Sequence, residues 1–530
     1  MTRYGWARQV TVLVALWLAV LVVGLDTMVL SVALPTLSTD LGASNAQLQW
    51  VTDAYTLALA ALLLPVGLLS DRYGRRTVLL VGLAVFGLAS AACAEVTTPG
   101  QLVAARAVLG IGAAVLLSVP LSIVPTVFRA EPGAGKGLNT SGALSILVSG
   151  MMLGLPLGPL LGGWLLGHFW WGSVFLINVP VVAIAMIVVA LVIPQSRAAA
   201  RRPDLPGVTL SALGLVALVY GVIEGPERGW TSLPVLLTLG AAVPLLAGFV
   251  ARQARARQPL VRLGLFADRR FSVGVLAMTL AGFALFGVVF VLPQYLQVVL
   301  GTDAFGAGLR LLPLIGGILV GAPLADRLAR WTGRRLPVAG GLLVVAAGLV
   351  LHSRVTAHSG YGLTAAAMLI EGFGIALALS PAMAAALATF DTDEAATGSS
   401  LVQSIRQVGA ALSVAVLGSV LNSAYRDRLD PALTGLPPAA AHAARGSVAG
   451  AAAVADRMGA AGAPLRTAAD AAFTHGMSVM LLVCAGTAAL SALSTALLLP
   501  NRDRPAPVPT ADDEAHPVPA GSQHNGRYEG

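Results

Sequence analysis

Lysine is almost missing from this chain. Lys136 is the single one among 33 basic residues, and acids and bases together make up only 11% of 530 positions, less than half of the roughly 25% carried by a soluble globular chain. With 56% hydrophobic residues and a mean hydropathy of +0.81, too little polar surface is available to dissolve the fold in water. The scarcity of lysine also argues against a proton-pumping subunit of a respiratory complex, which needs a line of buried Lys, Glu and His along the membrane midplane. Cysteine is nearly as scarce: Cys93 and Cys484 sit singly inside apolar segments and offer neither a metal-ligand spacing nor a disulfide framework. No nucleotide-binding P-loop, haem motif or metal cluster can be read in the chain, so no cofactor is expected and the energy for any work must come from a gradient. Nor is there a cluster of acids or histidines at one membrane face, as an embedded enzyme would be expected to show.

What is present is apolar sequence in long runs. A spanning helix needs about 20 mostly apolar residues, and fourteen runs meet that measure, at 10–35, 47–69, 77–95, 100–128, 138–166, 173–194, 208–225, 232–250, 272–298, 306–328, 336–353, 362–390, 397–421 and 475–499. The reading is an all-α polytopic membrane protein. The first run is too long for a signal-peptide core of roughly 7–15 residues and is expected to stay as the first span. Arginine placement sets the orientation. With the N-terminus inside, the cytoplasmic connections and termini hold 23 of the 33 basic residues and the short outer loops are nearly bare, as the positive-inside rule requires. The net charge of +8 is then a matter of topology and not of nucleic-acid binding. The chain is expected in the inner (plasma) membrane, as a monomer surrounded by lipid, with both termini cytoplasmic. Residues 1–200 read as a first six-helix bundle, 201–260 as two inserted helices with a cytoplasmic loop, and 261–500 as a second six-helix bundle. The second bundle carries a long alanine-rich outer loop at 422–474, in which 439–461 has the composition of helix. The tail at 501–530 is too poor in apolar residues to fold and is expected to be disordered.

The densest charge lies in the hinge between spans 2 and 3, Gly67-x3-Asp71-Arg72-x-Gly74-Arg75-Arg76. Asp71 and Arg75 stand four apart, close enough to pair on a helical turn, while Gly67 and Gly74 permit close approach or positive φ. A looser copy, Gly321-x4-Asp326-Arg327-x5-Gly333-Arg334-Arg335, falls between spans 10 and 11 on the same side. Duplicated halves of this kind hold substrate where they meet. In span 5, Gly150, Gly154, Gly158 and Gly162 recur every four residues and form a bare stripe for close helix packing, beside Gly163 and a bend-permitting Pro159. Arg106, near the middle of span 4, costs about 2.5–3.5 kcal/mol even on a permissive insertion scale and so calls for a cavity or a partner. Asp26 in span 1 and Asp53 in span 2 both fall in the outer half, Glu371 lies midway along span 12, and Glu224 sits at the outer end of span 7. A carboxylate for which a proton and a second ligand compete is the minimal device for proton-for-substrate exchange. Asp26, Asp53 and Arg106 are therefore expected to couple protons to transport, with Asp53 and Glu371 also meeting substrate; a surface helix cap is the alternative for Asp53. Phe283, Phe286 and Phe290 in span 9 follow helical spacing, and the stripe either packs on lipid and neighbours or stacks on a hydrophobic cargo.

Together these motifs resemble a known family. The hinge resembles the signature loop between spans 2 and 3 of the major facilitator superfamily. Leu102-x3-Arg106-x3-Gly110-x-Gly112 is similar to that superfamily's buried-arginine motif, with Leu109 where a glutamine is common, and Gly154-x3-Gly158-Pro159-x2-Gly162-Gly163 looks like its antiporter motif. Leu25-Asp26-x7-Leu34-Pro35 and Trp170-Trp171-x3-Phe175-Leu-Ile-Asn178-Val-Pro180 resemble the fourteen-span drug/proton antiporter branch. The resemblance implies a major facilitator fold with two extra helices between two six-helix halves. It implies a conformational latch at Gly67, Asp71, Arg72, Gly74, Arg75 and Arg76, in which Asp71 closes the cytoplasmic side against the start of span 13. It also implies that the glycine face of span 5 meets the opposite half, and that its bend helps block proton leak. The function it implies is secondary transport: export of small amphipathic drugs, dyes or biocides, cationic ones among the candidates, in exchange for protons by alternating access. Quaternary-ammonium exporters of this branch would carry acids in span 10 and near Arg406, whereas this chain has Arg406 itself and an uncharged stretch at 311–323. A dedicated exporter of one metabolite such as an antibiotic, a membrane-embedded enzyme and a proton-pump subunit are the alternatives.

Overall fold

The computed structural model describes residues 6–128, 140–197, 204–256, 259–390 and 395–501. The connection holding Lys136, and the tail beyond 501 expected to be disordered, lie outside the described residues. In hydrocarbon every backbone N–H and C=O needs an internal partner, and helix is the solution open to single apolar runs. The first five spans are α1 (Trp6–Asp40), α2 (Asn45–Tyr73), α3 (Arg75–Glu95), α4 (Pro99–Val127) and α5 (Thr140–His168). The sixth is broken into α6 (Ser173–Leu176) and α7 (Asn178–Val192), because Pro180 has no N–H to give to Leu176. Next come α8 (Leu205–Arg228), α9 (Leu233–Arg255) and α10 (Arg269–Gln294), the last continuing through a π-turn at Tyr295–Val299. The tenth span is again broken, beside Pro313, into α11 (Ala304–Arg310) and α12 (Leu312–Thr332). Then follow α13 (Arg335–His352), α14 (Tyr361–Leu387), α15 (Ala395–Leu429), two short helices α16 (Pro438–Gly446) and α17 (Val448–Arg457), and α18 (Ala463–Leu498). Among the described residues, 14 helices are long and apolar enough to cross a membrane. The protein is an all-helical, multi-pass membrane protein.

The long alanine-rich loop is shorter than its composition suggests. Helix α15 runs on to Leu429 and α18 begins at Ala463, so both spans project past the apolar core and only 430–462 joins them. That joint is a packed cap: Val448, Ala451 and Val454 of α17 are buried, Ser38 Oγ of α1 lies 2.7 Å from Ser447 Oγ, and the Tyr425 hydroxyl donates to the Ala444 carbonyl at 2.8 Å.

Two sets of helices repeat one packing pattern. In the first, α2 packs on α4, α3 on α4 and α7, and α1 along α5; in the second, α12 packs on α14, α13 on α14 and α18, and α10 along α15. The two hinges match as well. Gly74 (φ 103) sits against the Gln195 side chain just beyond α7, and Gly333 (φ 80) against Asn501 just beyond α18. A Cβ at either would collide with that neighbour and would have to adopt a backbone region that favours glycine. Helices α8 and α9 pack on each other, and α8 lies against α2 and α15. Their near ends are tied by Asp204, which caps α8 and accepts from Arg252 Nε at 2.6 Å and Gln253 Nε2 at 3.0 Å.

The sets touch at both ends of the bundle. At the hinge end Ser404 Oγ donates to the Ala60 carbonyl at 2.8 Å, and Leu64 packs with Leu401 and Val402. At the cap end Gln297 Nε2 donates to the Val32 carbonyl at 2.8 Å, and Gly163 abuts Ala304 and Phe305 of α11. The glycine stripe of span 5 departs from its expected role. Gly150, Gly154, Gly158 and Gly162 all face α1 of the same set, through Trp17, Gly24, Met28 and Val29, while Gly163 and the Pro159 carbonyl, which abuts Gly308, reach the other set. The reason is steric: Gly24 stands opposite Gly154, so α1 and α5 bring bare backbones together there. A Cβ on Gly154 would lie 2.6 Å from Gly24 C and Leu25 N. Gly154→Ala is expected to destabilise by about 1–3 kcal/mol through overpacking, read as a lower unfolding temperature of the detergent-purified protein. Gly167→Ala, whose added methyl meets nothing within 4 Å, should leave that temperature unchanged.

Candidate functional site

Two fully buried charges meet between α1 and α4. Arg106 and Asp26 side chains are 1% and 0% exposed and pair through Nη1 and Oδ2 at 2.6 Å. Arg106 Nε donates to the Val51 carbonyl of α2 at 3.1 Å, and its guanidinium lies 4.3 Å from the Tyr55 ring centroid and 6.0 Å from that of Phe175. The other oxygen of Asp26 accepts from Asn178 Nδ2 at 3.2 Å; the same amide reaches Ser90 Oγ at 3.1 Å, which donates to the Phe175 carbonyl at 2.8 Å. The break between α6 and α7 brings Asn178 and the Phe175 carbonyl together at Ser90. Five helices thus converge on one ion pair, and the charge that the sequence could not leave in hydrocarbon is answered on every side.

Beside this cluster a narrow cleft lies between the two helix sets, lined by Thr27, Leu30, Ser31, Leu34, Thr52, Tyr55, Thr56 and Arg106 from the first set and Phe286, Val289, Phe290 and Val414 from the second. A second, apolar cleft shares Ser31 and Val289 with it and extends toward Leu155, Pro159, Leu311 and Ile318. The pair form two lobes of one space, hydroxyl-rich against Arg106 and purely apolar toward α12. Among the described residues the only charged group lining the lobes is Arg106; its acid, Asp26, does not line them. Among the described residues no group of three or more His, Cys, Asp and Glu side chains is placed to hold a metal ion.

Residues 16–414 match the family model described as Major Facilitator Superfamily. The chain belongs to that superfamily and is a membrane transporter. It is 35% identical over 418 residues to the tetracenomycin C resistance and export protein of Streptomyces glaucescens, covering 78% of this chain and 76% of that protein. It is 38% identical over 419 residues to a puromycin resistance protein of Streptomyces alboniger (78% and 82% covered), and 32% identical over 484 residues to the multidrug efflux pump LfrA of Mycolicibacterium smegmatis (90% and 94% covered). Among solved structures, an inward-facing, occupied bacterial homologue of the lysosomal transporter Spinster superposes with a TM-score of 0.69 at 17% identity, covering 95% of this chain and 100% of that one. A D-xylose-proton symporter superposes with a TM-score of 0.60 at 14% identity, covering 94% and 99%. These two likenesses show the fold alone.

In this transporter the residues singled out from sequence scatter in an informative way. Asp26 and Arg106 come together, and Phe286 and Phe290 line the cleft, whereas Phe283 does not and instead offers its carbonyl to Ser413 Oγ at 2.5 Å. Asp53 is not a surface cap. It is 0% exposed and neither carboxylate oxygen has a partner among the described residues; it lies one face away from the cleft, toward α15 and α8. Glu371 also stays out of the cleft and pairs with His352 Nδ1 at 3.0 Å, both buried between α13 and α14. Arg406 has Gln403 Oε1 at 3.1 Å and Gly282 beside its stem, with no carboxylate partner among the described residues. In the hinge, Asp71 accepts from Arg75 Nε and Nη2 at 3.0 and 2.9 Å, Arg75 Nη1 reaches the Ser122 carbonyl at 2.8 Å, Arg76 binds the Gln195 side chain and the Ala190 carbonyl, and Arg72 stacks on Tyr73 at 5.4 Å. These bonds tie α2 and α3 to α4 and α7. The expected meeting of Asp71 with the start of span 13 borders side chains that lie outside the described residues.

Sequence reasoning missed Tyr55, Ser90 and His352, and gave Asn178 no task. The signal for Asn178 was its place two residues before Pro180. Removing one member of a buried pair leaves an uncompensated charge, which costs about 3–5 kcal/mol. Arg106→Met is therefore expected to lower the unfolding temperature strongly, and the double variant with Asp26→Leu to recover part of the loss, a coupling that thermal melts of the four proteins measure directly.

Proposed function

We propose that this protein is a proton-coupled antiporter of a bacterial inner membrane that exports small amphipathic compounds by alternating access, with both termini in the cytoplasm. Residues 1–200 and 261–500 are the two moving halves, 201–260 the inserted pair, and the hinge at Gly67, Asp71, Arg72, Gly74, Arg75 and Arg76 the cytoplasmic latch. The observation that carries the reading is the Asp26–Arg106 pair set in the wall of a cleft between the halves. Protonation of Asp26 removes one charge from the pair and leaves Arg106 positive beside the cleft. A cargo that takes over the guanidinium, or a return of the carboxylate, then restores the balance, so proton and cargo exclude one another through one cation. Asp53, at the same depth in the neighbouring helix interface, is the second proton carrier.

The lining also bears on the cargo. It offers hydroxyls, aromatic faces from Tyr55, Phe286 and Phe290, and one guanidinium, with Arg406 about 12 Å farther along α15 from Val414 at 1.5 Å per residue. Those groups suit an uncharged or weakly acidic aromatic compound better than a quaternary cation. The relatives named for tetracenomycin C and puromycin, and for multidrug efflux, support export of antibiotic-like molecules. Export of a neutral compound against one entering proton draws on both the pH difference and the potential, the latter worth about 2.3 kcal/mol per 100 mV.

In everted vesicles, Asp26→Asn is expected to abolish pH-driven accumulation of cargo while the protein stays in the membrane; normal accumulation would remove Asp26 from coupling. Across a susceptibility panel in a host stripped of its own pumps, protection should be stronger for neutral and weakly acidic aromatics than for quaternary ammonium biocides, and should vanish with an uncoupler. Protection against one compound alone would mark a dedicated exporter.

A further inference from the structure

On α2, Asn45, Gln49 and Asp53 recur every four residues, with exposures of 1%, 0% and 0%, and this stripe faces α15. Gln49 packs against Gly418. Because the two helices run antiparallel, Asn422, one turn beyond Gly418 and 0% exposed, lies level with Asn45. Every side-chain nitrogen and oxygen of Asn45, Gln49, Asp53 and Asn422 is buried and lacks a hydrogen-bond partner among the described residues. A buried polar group left unpaired is costly, and these four side chains hold eight such atoms between them. Eight in one file, spanning about 12 Å of helix, have a common cause. A buried water needs two to four polar partners, which is what such a file supplies.

The walls fit a conduit. Helix α8 closes its side, with Ser419 Oγ donating to the Val222 carbonyl at 2.6 Å, Arg426 Nη1 to the Pro226 carbonyl at 2.9 Å, and Trp50 against Tyr220 at 5.9 Å between ring centroids. An apolar cluster runs beside the file along the same junction, Ala46 and Leu57 packing with Val219, Ile223, Ala411 and Ala415, and toward the hinge end the Ser404–Ala60 bond follows. The unpartnered side chains of α2 run from Asn45 to Asp53. The charged and titratable groups around it are Arg106 on α4, with its partner Asp26 on α1, Tyr55 on α2 itself, Tyr220, Glu224 and Glu227 on α8, and Arg406 and Arg426 on α15. None of the four polar side chains lines either cleft.

We infer that the cap-end half of the α2–α8–α15 junction is a hydrated proton path that brings protons to Asp53 without passing through the cargo cleft, and that α8, one of the two inserted helices, serves as its wall. The inference rests on the coupling role proposed for Asp53. A separate path allows a proton to load while cargo still occupies the cleft, which a single shared cavity forbids.

Silver ion, close to water in size, tests the path without any cargo. The native thiols Cys93 and Cys484 are both buried, so single cysteines placed in the full chain report against a quiet background. In right-side-out vesicles, Gln49→Cys and Asn45→Cys should react with silver at least 10-fold faster than Leu57→Cys, scored by loss of maleimide labelling after denaturation. Asn422→Cys gives the same reading from the opposite wall if an α2 variant fails to fold. Equal, slow rates at all positions would show a dry junction and overturn the path. Asp53→Asn in everted vesicles, assayed by tetracenomycin C movement and pyranine-reported proton flux, separates the two ideas. Fast silver reaction with loss of coupled flux supports both. Slow reaction with loss of coupled flux leaves Asp53 a proton carrier reached by another route, and fast reaction with unchanged coupled flux removes Asp53 and with it the path's purpose.

Discussion

A guanidinium inside an apolar bundle has to be answered within a few ångströms, and the way Arg106 is answered organises the first helix set. Its acid comes from α1, a carbonyl and an aromatic face from α2, and the amide that steadies the acid from the broken sixth span. Each donor has its own structural precondition. Asp26 stands on α1 two residues after Gly24, where α1 and α5 close to backbone contact at Gly154. Asn178 can reach because the helix breaks ahead of Pro180. The glycine stripe that looked like a surface for the opposite half packs instead on α1, the helix that carries Asp26.

The remaining buried acids are handled in two other ways. Glu371 takes a histidine, His352, inside the second helix set, away from the cleft. Asp53 takes nothing among the described residues, and three amides above it take nothing either. Placement, and not residue type, separates these three carboxylates: one faces a fixed cation, one a histidine and one a file of unpartnered amides.

The repeated packing has a plain mechanical content. Both hinges turn on a glycine at positive φ seated against the segment that follows the last helix of its own set, Gln195 for Gly74 and Asn501 for Gly333. Each hinge is thus seated against its own set, while α2 packs on α15 and α5 on α11 between the sets, with hydrogen bonds from Ser404 to Ala60 and from Gln297 to Val32.

By itself the sequence determined the number of spans, the all-helical architecture, the family and the presence of a buried arginine that required an acid. All of these follow from local composition: twenty apolar residues need a helix, a lone charge in such a run needs an answer, and the Gly74 hinge carries its own spacing. Which acid answers was decided only by tertiary structure, because Asp26 and Asp53 are equally apolar in their surroundings and differ in which helix face they occupy. The same holds for Phe283 against Phe286 and Phe290, one turn of rotation apart, and for the joint at 430–462, whose α17 packs on α16, α18 and α1. The polar file beside Asp53 is the extreme case. Asn45, Gln49 and Asn422 are unremarkable along the chain, and only the antiparallel register of α2 and α15 sets them in a line.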